Sequence, residues 1–152
     1  MHPDLDGVNH INIYSKGVTA LGRWLSNFTY EPIEIPVFGR FASVEAYWYW
    51  LGARDDDLRP LHGYPAKQLG QRLPRVEILP AEDFQDFIRE AMRLKLRANR
   101  LKAGEFIDSD LPFAHYYYYG TKVHMLPKYQ WIVDEWERLR EKGKKWRASS
   151  KR

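Results

Sequence analysis

The spacing of hydrophobic positions predicts a mainly helical chain with a few short strands. Residues 11–14 and 33–38 alternate apolar and polar side chains, which is typical of half-buried strands, and Pro36 favours an edge position for the second. Apolar residues recur at helical spacing in the segments 43–54, 66–71, 80–101 and 127–140. The four tyrosines at 116–119 are expected in an extended segment, and residues 105–110 are expected to form a loop after Gly104.

The helix that begins after Ser43 organises the prediction. The Ser43 hydroxyl is a good N-cap, and the predicted buried stripe has the spacing i, i+3, i+4, i+7. That stripe comprises Val44, Tyr47, Trp48 and Leu51. Glu45 occupies the second helical position at the edge of the stripe, where the helix macrodipole is expected to keep it ionised. A carboxylate fixed beside aromatic faces suits a site that cleaves a glycoside or holds a nucleotide; it can equally be a first-turn Glu that supports the helix.

Length and composition indicate an α+β fold, a mainly helical single domain with a few short strands. The chain has 152 residues, 44% of them hydrophobic and 15% aromatic, enough for a buried core. It has no cysteine, no apolar run of membrane-spanning length and a polar N-terminus, so we expect a cytoplasmic protein without disulfides or membrane contact. Three consecutive aspartates, Asp55–Asp57, point in different directions and predict no metal site.

Charge is concentrated at the C-terminus. Residues 142–152 hold six of the 24 basic residues and no acid, so the remaining 18 basic residues face 20 acids, a net charge of −2. We therefore divide the chain into a domain at 1–141 and a basic, flexible tail at 142–152. Such a tail is either a solvated terminus or a segment that binds phosphates.

Several short motifs follow one another in a recognisable order. Ser26-Asn27-Phe28 is followed by a strand, then Gly39-Arg40, the Ser43-Val44-Glu45 helix start and Ala66-Lys67-Gln68-Leu69-Gly70. The aromatic-glycine pair Tyr119-Gly120 comes in the C-terminal third. In order and spacing these motifs resemble the NADAR family (NAD- and ADP-ribose-associated), and the resemblance runs from about residue 11 to residue 140.

The resemblance implies a mainly helical α+β fold that hydrolyses N-glycosidic bonds without a cofactor. The implied substrates are ADP-ribose-like nucleotides or ribosyl phosphates, with ADP-ribosylated DNA a further candidate because some members remove ADP-ribose from guanine. The family's glutamate falls on Glu45, our candidate catalytic residue. The family's Ser-Asn-Phe turn falls on Asn27 and Phe28, its Gly-Arg on Arg40, its lysine on Lys67 and its aromatic-glycine pair on Tyr119 and Gly120. Our candidate roles are Asn27 for ribose or base, Arg40 and Lys67 for phosphates, and Trp48 and Tyr119 for the flat base.

The chain departs from the family pattern at four places. Ala46 and Tyr49 replace a histidine and a glutamine, Gly52 replaces a lysine, and a tyrosine at 117 or 118 replaces an acid before the aromatic-glycine pair. A rival interpretation is therefore a nucleotide- or nucleic-acid-binding module without catalysis. It would use the tyrosine run for stacking and the basic tail for phosphates.

Overall fold

The computed structural model describes residues 1–150 and divides the chain into two compact units. One unit comprises Asn27–Arg100, and the other comprises Met1–Ser26 together with the chain from Leu101 onward. The structure has six α-helices and six short strands in the described residues, which confirms an α+β, mainly helical fold. No helix within residues 1–150 has the length and apolarity needed to cross a membrane.

The unit Asn27–Arg100 contains a hairpin and three helices. They are β2 (Ile33–Ile35), β3 (Gly39–Phe41), α2 (Val44–Ala53), α3 (Gly63–Arg72) and α4 (Ala81–Ala98). Strands β2 and β3 pair antiparallel, and both α2 and α4 pack closely within this unit, α4 against α2 and β2. Its core consists of buried aliphatic and aromatic side chains, among them Ile33, Phe41, Val44, Tyr47, Leu51 and Ile88.

The other unit contains the chain ends. Its elements are β1 (Ile11–Asn12), α1 (Ala20–Leu25), α5 (Arg100–Asp108), β4 (Phe113–Ala114), β5 (Tyr116–Tyr119), β6 (Lys122–Met125) and α6 (Gln130–Ser150). The first residue of α5, Arg100, is counted with the unit described above. Strand β1 runs parallel to β4, and β5 pairs antiparallel with β6. The Asn12 side chain joins the two strand pairs, because its amide bonds the backbone N–H and carbonyl of Tyr116, both at 3.0 Å.

Two helix boundaries and one strand boundary differ from those predicted from the sequence. Residues 105–110 were expected to form a loop, but α5 continues to Asp108, and Gly104 lies inside it. The single long helix expected at 80–101 is broken at Asn99, whose backbone is extended and whose side chain donates to Glu31 Oε1 at 2.8 Å. The strand expected at 33–38 ends at Ile35, and Gly39 begins the second strand of a hairpin.

Helix α6 extends further than the sequence predicted. Residues 142–150 of the expected tail are helical, and three of their basic side chains pair with acids of the same unit, one of them Lys145 with Glu141 one turn earlier. Lys144 Nζ lies 3.0 Å from Asp110, and Arg147 pairs with Asp108. The last two tail residues, Lys151 and Arg152, lie outside the described residues. The division at residue 141 stays a prediction.

Candidate active site at the start of helix α2

Glu45 lies in the first turn of α2, which begins as predicted. The Ser43 hydroxyl accepts a hydrogen bond from the Ala46 N–H at 3.1 Å and donates one to the Leu61 carbonyl at 2.9 Å. The Glu45 N–H donates to the Asn27 carbonyl at 3.0 Å. A capped helix start, tied to two neighbouring segments, therefore fixes the backbone that carries this half-buried carboxyl group.

The electrostatics of Glu45 differ from the sequence-based expectation. Burial raises the pKa of the Glu45 carboxyl from its ordinary 4.5 to about 7, and the positive charge of Lys67 opposes that rise. The prediction that Glu45 stays ionised at neutral pH was wrong, because burial penalises the charged form of this carboxyl. A carboxyl that titrates near neutrality can both accept and donate a proton at physiological pH.

The charge of Lys67 acts on this carboxyl because α2 and α3 pack very closely. A Cβ on Gly70 of α3 would lie 2.1 Å from Cγ of the Tyr49 ring, so only glycine allows this approach. Glu45 lies one turn before Tyr49 on α2, and Lys67 lies about one turn before Gly70 on α3. The glycine contact thus brings the lysine beside the glutamate, where its charge acts on the glutamate pKa.

Asn27 and Phe28 form the turn that the sequence predicted, against the starts of two helices. The Asn27 carbonyl accepts from Glu45, and the Phe28 carbonyl accepts from the Gly63 N–H at 3.0 Å where α3 begins. The Phe28 ring packs edge-on against Tyr64 with centroids 5.2 Å apart. Both side chains are half-buried. Asn27 is therefore adjacent to the candidate catalytic carboxyl through its backbone.

Arg40 occupies a different environment from the one expected for a phosphate ligand. It lies on β3 opposite Glu34 of β2, and its guanidinium is 3.5 Å from the Glu34 carboxylate. Both side chains are well exposed, and the Arg40 carbonyl accepts from Arg59 at 3.2 Å. No recorded contact joins Arg40 to Glu45 in the described residues, so its phosphate role stays a prediction.

Trp48 is half-buried and not part of the buried stripe, which corrects the sequence-based expectation. Trp50 takes the buried place instead and is only 7% exposed. The Trp48 ring packs edge-on against Phe84, with centroids 4.7 Å apart, and lines a cavity of about 260 Å³. The cavity also includes Gly52, the position at which the resemblance implies a lysine. Trp48 therefore presents an aromatic wall one turn beyond Glu45.

Tyr119 and Gly120 belong to the other unit, at the turn between β5 and β6. Tyr119 is 65% exposed and packs edge-on against His124, and Gly120 has a φ of 61° that suits glycine. The remaining tyrosines of the run are less accessible: Tyr116 is buried, and Tyr117 and Tyr118 pack against Tyr14. The run therefore offers one well-exposed ring for stacking, which leaves little support for the rival binding module.

The sequence analysis missed a polar cluster of the buried Lys95 with the half-buried Glu31 and Asn99. Lys95 on α4 is completely buried, and burial lowers its pKa to about 7 although the Glu31 charge opposes that shift. Asn99 Nδ2 donates to Glu31 at 2.8 Å, and the Glu31 N–H donates to the Ala42 carbonyl at 3.0 Å. The signal in the sequence was a lysine at a core position of an otherwise apolar helical stripe.

Two of the three consecutive aspartates have partners for their side chains. Asp56 accepts from Trp50 Nε1 at 3.0 Å and from Arg59 at 2.7 Å, and Asp55 caps the short 3-10 helix Asp56–Leu58 by accepting from the Asp57 N–H at 2.9 Å. No cluster of three potential metal-ligating side chains occurs in residues 1–150. These acids therefore fix the loop after α2.

Comparison with known proteins gives one informative likeness, and it is structural. No family model matches the sequence, and no curated protein matches it. The NMR structure of the Escherichia coli protein YbiA matches with a TM-score of 0.64 and 17% sequence identity, covering 88% of this chain and 84% of YbiA. YbiA is a NADAR-family protein, so the chain has the fold of that family, as the motif order implied.

Proposed function

We propose that the chain is an N-glycosidase that hydrolyses the bond between a ribose carbon and a base nitrogen in an ADP-ribose-like or ribosyl-phosphate substrate. The observation that carries the proposal is the half-buried Glu45 carboxyl with a pKa of about 7, beside Lys67 and next to the Asn27 turn. The fold shared with YbiA supports the same class of activity.

The chemistry of the bond explains why a carboxyl is needed there. Breaking an N-glycosidic bond develops positive charge on the ribose ring carbon and oxygen. An ionised Glu45 stabilises that charge and accepts a proton from the attacking water, whose oxygen bonds to the ring carbon as the base departs with the bonding pair. The departing base then takes a proton, and a Glu45 that titrates near neutrality is able to return the one it accepted.

The neighbouring side chains suggest how the substrate is held. Lys67 is a point charge suited to a phosphate oxygen, and binding a phosphate would use the charge that faces Glu45. The Asn27 amide provides a donor and an acceptor for ribose hydroxyls or a base edge. Trp48 supplies a flat surface for the base. Arg40 keeps its proposed role as a further phosphate contact, and removal of ADP-ribose from guanine in DNA is the polymer form of the same reaction. Tyr119 belongs to the other unit, and its role as a base contact stays a separate prediction.

Substrate and catalytic residue can be tested together. The protein is incubated with ADP-ribosyl-guanosine, ADP-ribosylated DNA, NAD and a ribosylaminopyrimidine phosphate, and the released base is followed by mass spectrometry. We expect hydrolysis of at least one of them, and Glu45→Gln should retain the fold but lose at least ~100-fold in turnover, the scale of acid–base effects. Glu82→Gln, which changes an exposed carboxylate in the first turn of α4, is the matched control. Turnover of Glu45→Gln at the rate of the control would contradict the assignment.

A further inference from the structure

A short segment of the chain, residues 27–31, is bonded to the start of α2 at both of its ends. At one end the Asn27 carbonyl accepts from the Glu45 N–H at 3.0 Å, and at the other the Glu31 N–H donates to the Ala42 carbonyl at 3.0 Å. One of these bonds lies before the N-cap of α2 and the other lies after it. The segment therefore helps to fix the backbone that carries the Glu45 carboxyl.

The side chain of Glu31 connects this segment to α4. Asn99, the C-cap of α4, donates from Nδ2 to Glu31 Oε1 at 2.8 Å. Lys95 lies four residues earlier on the same helix, is completely buried, and has Glu31 as the opposite charge that acts on it. A buried ammonium is costly unless a carboxylate accompanies it, which favours a Glu31 side chain directed toward α4. Glu31 therefore has a hydrogen-bond partner and a charge partner, both on α4.

These contacts form one continuous connection between α4 and Glu45. It begins at the Asn99 amide, passes through the Glu31 side chain and the backbone of the segment to Asn27, and ends at the Glu45 N–H. Without the bond from Asn99, the Glu31 end of the segment would depend on its backbone bond to Ala42. A loosened segment would admit water to the start of α2, and water favours the ionised form of a carboxyl that burial now disfavours.

We propose that Glu31 is a positioning residue, which holds the segment 27–31 in place so that Glu45 keeps the buried environment that acid–base catalysis requires. The inference rests on the proposed function and deepens it, because it names a residue that regulates the candidate catalytic carboxyl through the backbone. The hydrogen bond from Asn99 transmits the effect, and the negative charge of Glu31 does not. Glutamine separates the two contributions, because it keeps the acceptor oxygen and lacks the charge.

Titration of the Glu45 carboxyl by NMR tests the proposal without requiring turnover. The side-chain carboxyl carbons of glutamate are isotopically labelled, and Glu45→Gln identifies the Glu45 signal. In Glu31→Ala and in Asn99→Ala the Glu45 midpoint should fall from about 7 by about one pH unit, because the carboxyl gains solvent. In Glu31→Gln the midpoint should stay near that of the wild type, because the amide oxygen still accepts from Asn99. The double variant Glu31→Ala/Asn99→Ala should shift it no further than either single change, since both remove the same bond.

Kinetics give a second measurement on any substrate that the protein hydrolyses. Glu31→Ala should lower kcat by about tenfold or more and leave KM within about threefold, because a displaced general base affects the reacting step and not substrate binding. Its pH–rate midpoint should move to lower pH together with the carboxyl titration, and Glu31→Gln should restore both. Ile88→Val is the matched control, because it removes a buried methyl group from α4 and changes no polar group. It should lower stability and leave kcat and the Glu45 midpoint unchanged.

Failure of the two proposals can be told apart. A Glu45 midpoint that stays at the wild-type value in Glu31→Ala, or that moves equally in Glu31→Gln or Ile88→Val, would overturn the inference, while hydrolysis that Glu45→Gln abolishes would retain the glycosidase. A midpoint that falls in Glu31→Ala and not in Glu31→Gln, with no hydrolysis of any substrate, would retain the connection and remove the catalytic proposal. If Glu31→Ala does not fold, Asn99→Ala makes the same comparison with the charge partner of Lys95 in place.

Discussion

Replacing Glu45 with glutamine should stabilise the fold at the same time as it removes activity. The glutamine has the shape of a protonated glutamate, but it carries no charge that must be desolvated. In the folded state burial raises the pKa of Glu45 from 4.5 to about 7, so the folded protein binds a proton more tightly than the unfolded chain does. The stabilisation that this proton provides is complete below pH 4.5 and is lost as the pH rises through 7.

The size of the effect follows from the shift in pKa. Each unit corresponds to 1.36 kcal/mol, so a shift from 4.5 to about 7 corresponds to about 3 kcal/mol when Glu45 is fully ionised. Between pH 5 and pH 8 the wild type should lose about 2 to 3 kcal/mol in free energy of unfolding relative to Glu45→Gln. For a chain of this length that corresponds to a gap in Tm that widens by about 5 to 10 °C. Lys95 also titrates, but it is common to both proteins and cancels in the difference.

Chemical denaturation at pH 5, 6, 7 and 8 measures the effect directly. The free energies of unfolding of wild type, Glu45→Gln and the exposed control Glu82→Gln are compared at each pH. The gap between wild type and Glu45→Gln should widen from pH 5 to pH 7 and level off toward pH 8, and Glu82→Gln shows the effect of removing one exposed negative charge. A gap to Glu45→Gln that does not change with pH would refute the argument that Glu45 is desolvated, whatever the variant does to turnover.

Three further predictions concern the same elements. The rate of hydrolysis should rise with pH through a midpoint near 7, because the ionised Glu45 accepts the proton of water. Lys67→Met should move that midpoint to higher pH, because the lysine charge lowers the Glu45 pKa. A pH–rate profile that falls through 7 would contradict this role. Gly70→Ala should destabilise the protein by about 1 to 3 kcal/mol in denaturation, because the added Cβ would lie 2.1 Å from the Tyr49 ring. Gly104 is a helical glycine with open space around it, so Gly104→Ala should stabilise the protein by up to about 1 kcal/mol. Val37→Asn should stabilise the fold by about 1 kcal/mol, since this fully exposed valine has a φ of 73° that asparagine tolerates better, and an unchanged denaturation midpoint would contradict it.

Local patterns predicted the start of α2 but not the chemistry that follows from its surroundings. The Ser43 cap depends on residues within one turn, so the sequence revealed it. The pKa of Glu45 depends on α3, whose approach is set by Gly70 some 25 residues later in the sequence. The break between α4 and α5 was hidden for the same reason. Helical periodicity continues through Asn99, and the partner of its side chain is Glu31, 68 residues upstream.

The short segment 27–31 connects the two groups that titrate near neutrality. The Asn27 carbonyl accepts from Glu45, and the Glu31 N–H donates to Ala42, so the segment is bonded to the start of α2 on both sides of the Ser43 cap. At its far end the Glu31 charge acts on the buried Lys95. Burial shifts the pKa of Glu45 upward and that of Lys95 downward, in both cases to about 7.

Desolvation therefore favours the neutral form of both groups, and each is opposed by a partner of opposite charge, Lys67 for the acid and Glu31 for the amine. Perturbed groups of this kind are concentrated at functional sites. Two of them in one unit, connected by a single five-residue segment, are difficult to explain by stability alone, because apolar residues at both positions would avoid the desolvation cost. Of the two groups, Glu45 is the one that the proposed hydrolysis uses, because its carboxyl must both accept and return a proton near neutral pH.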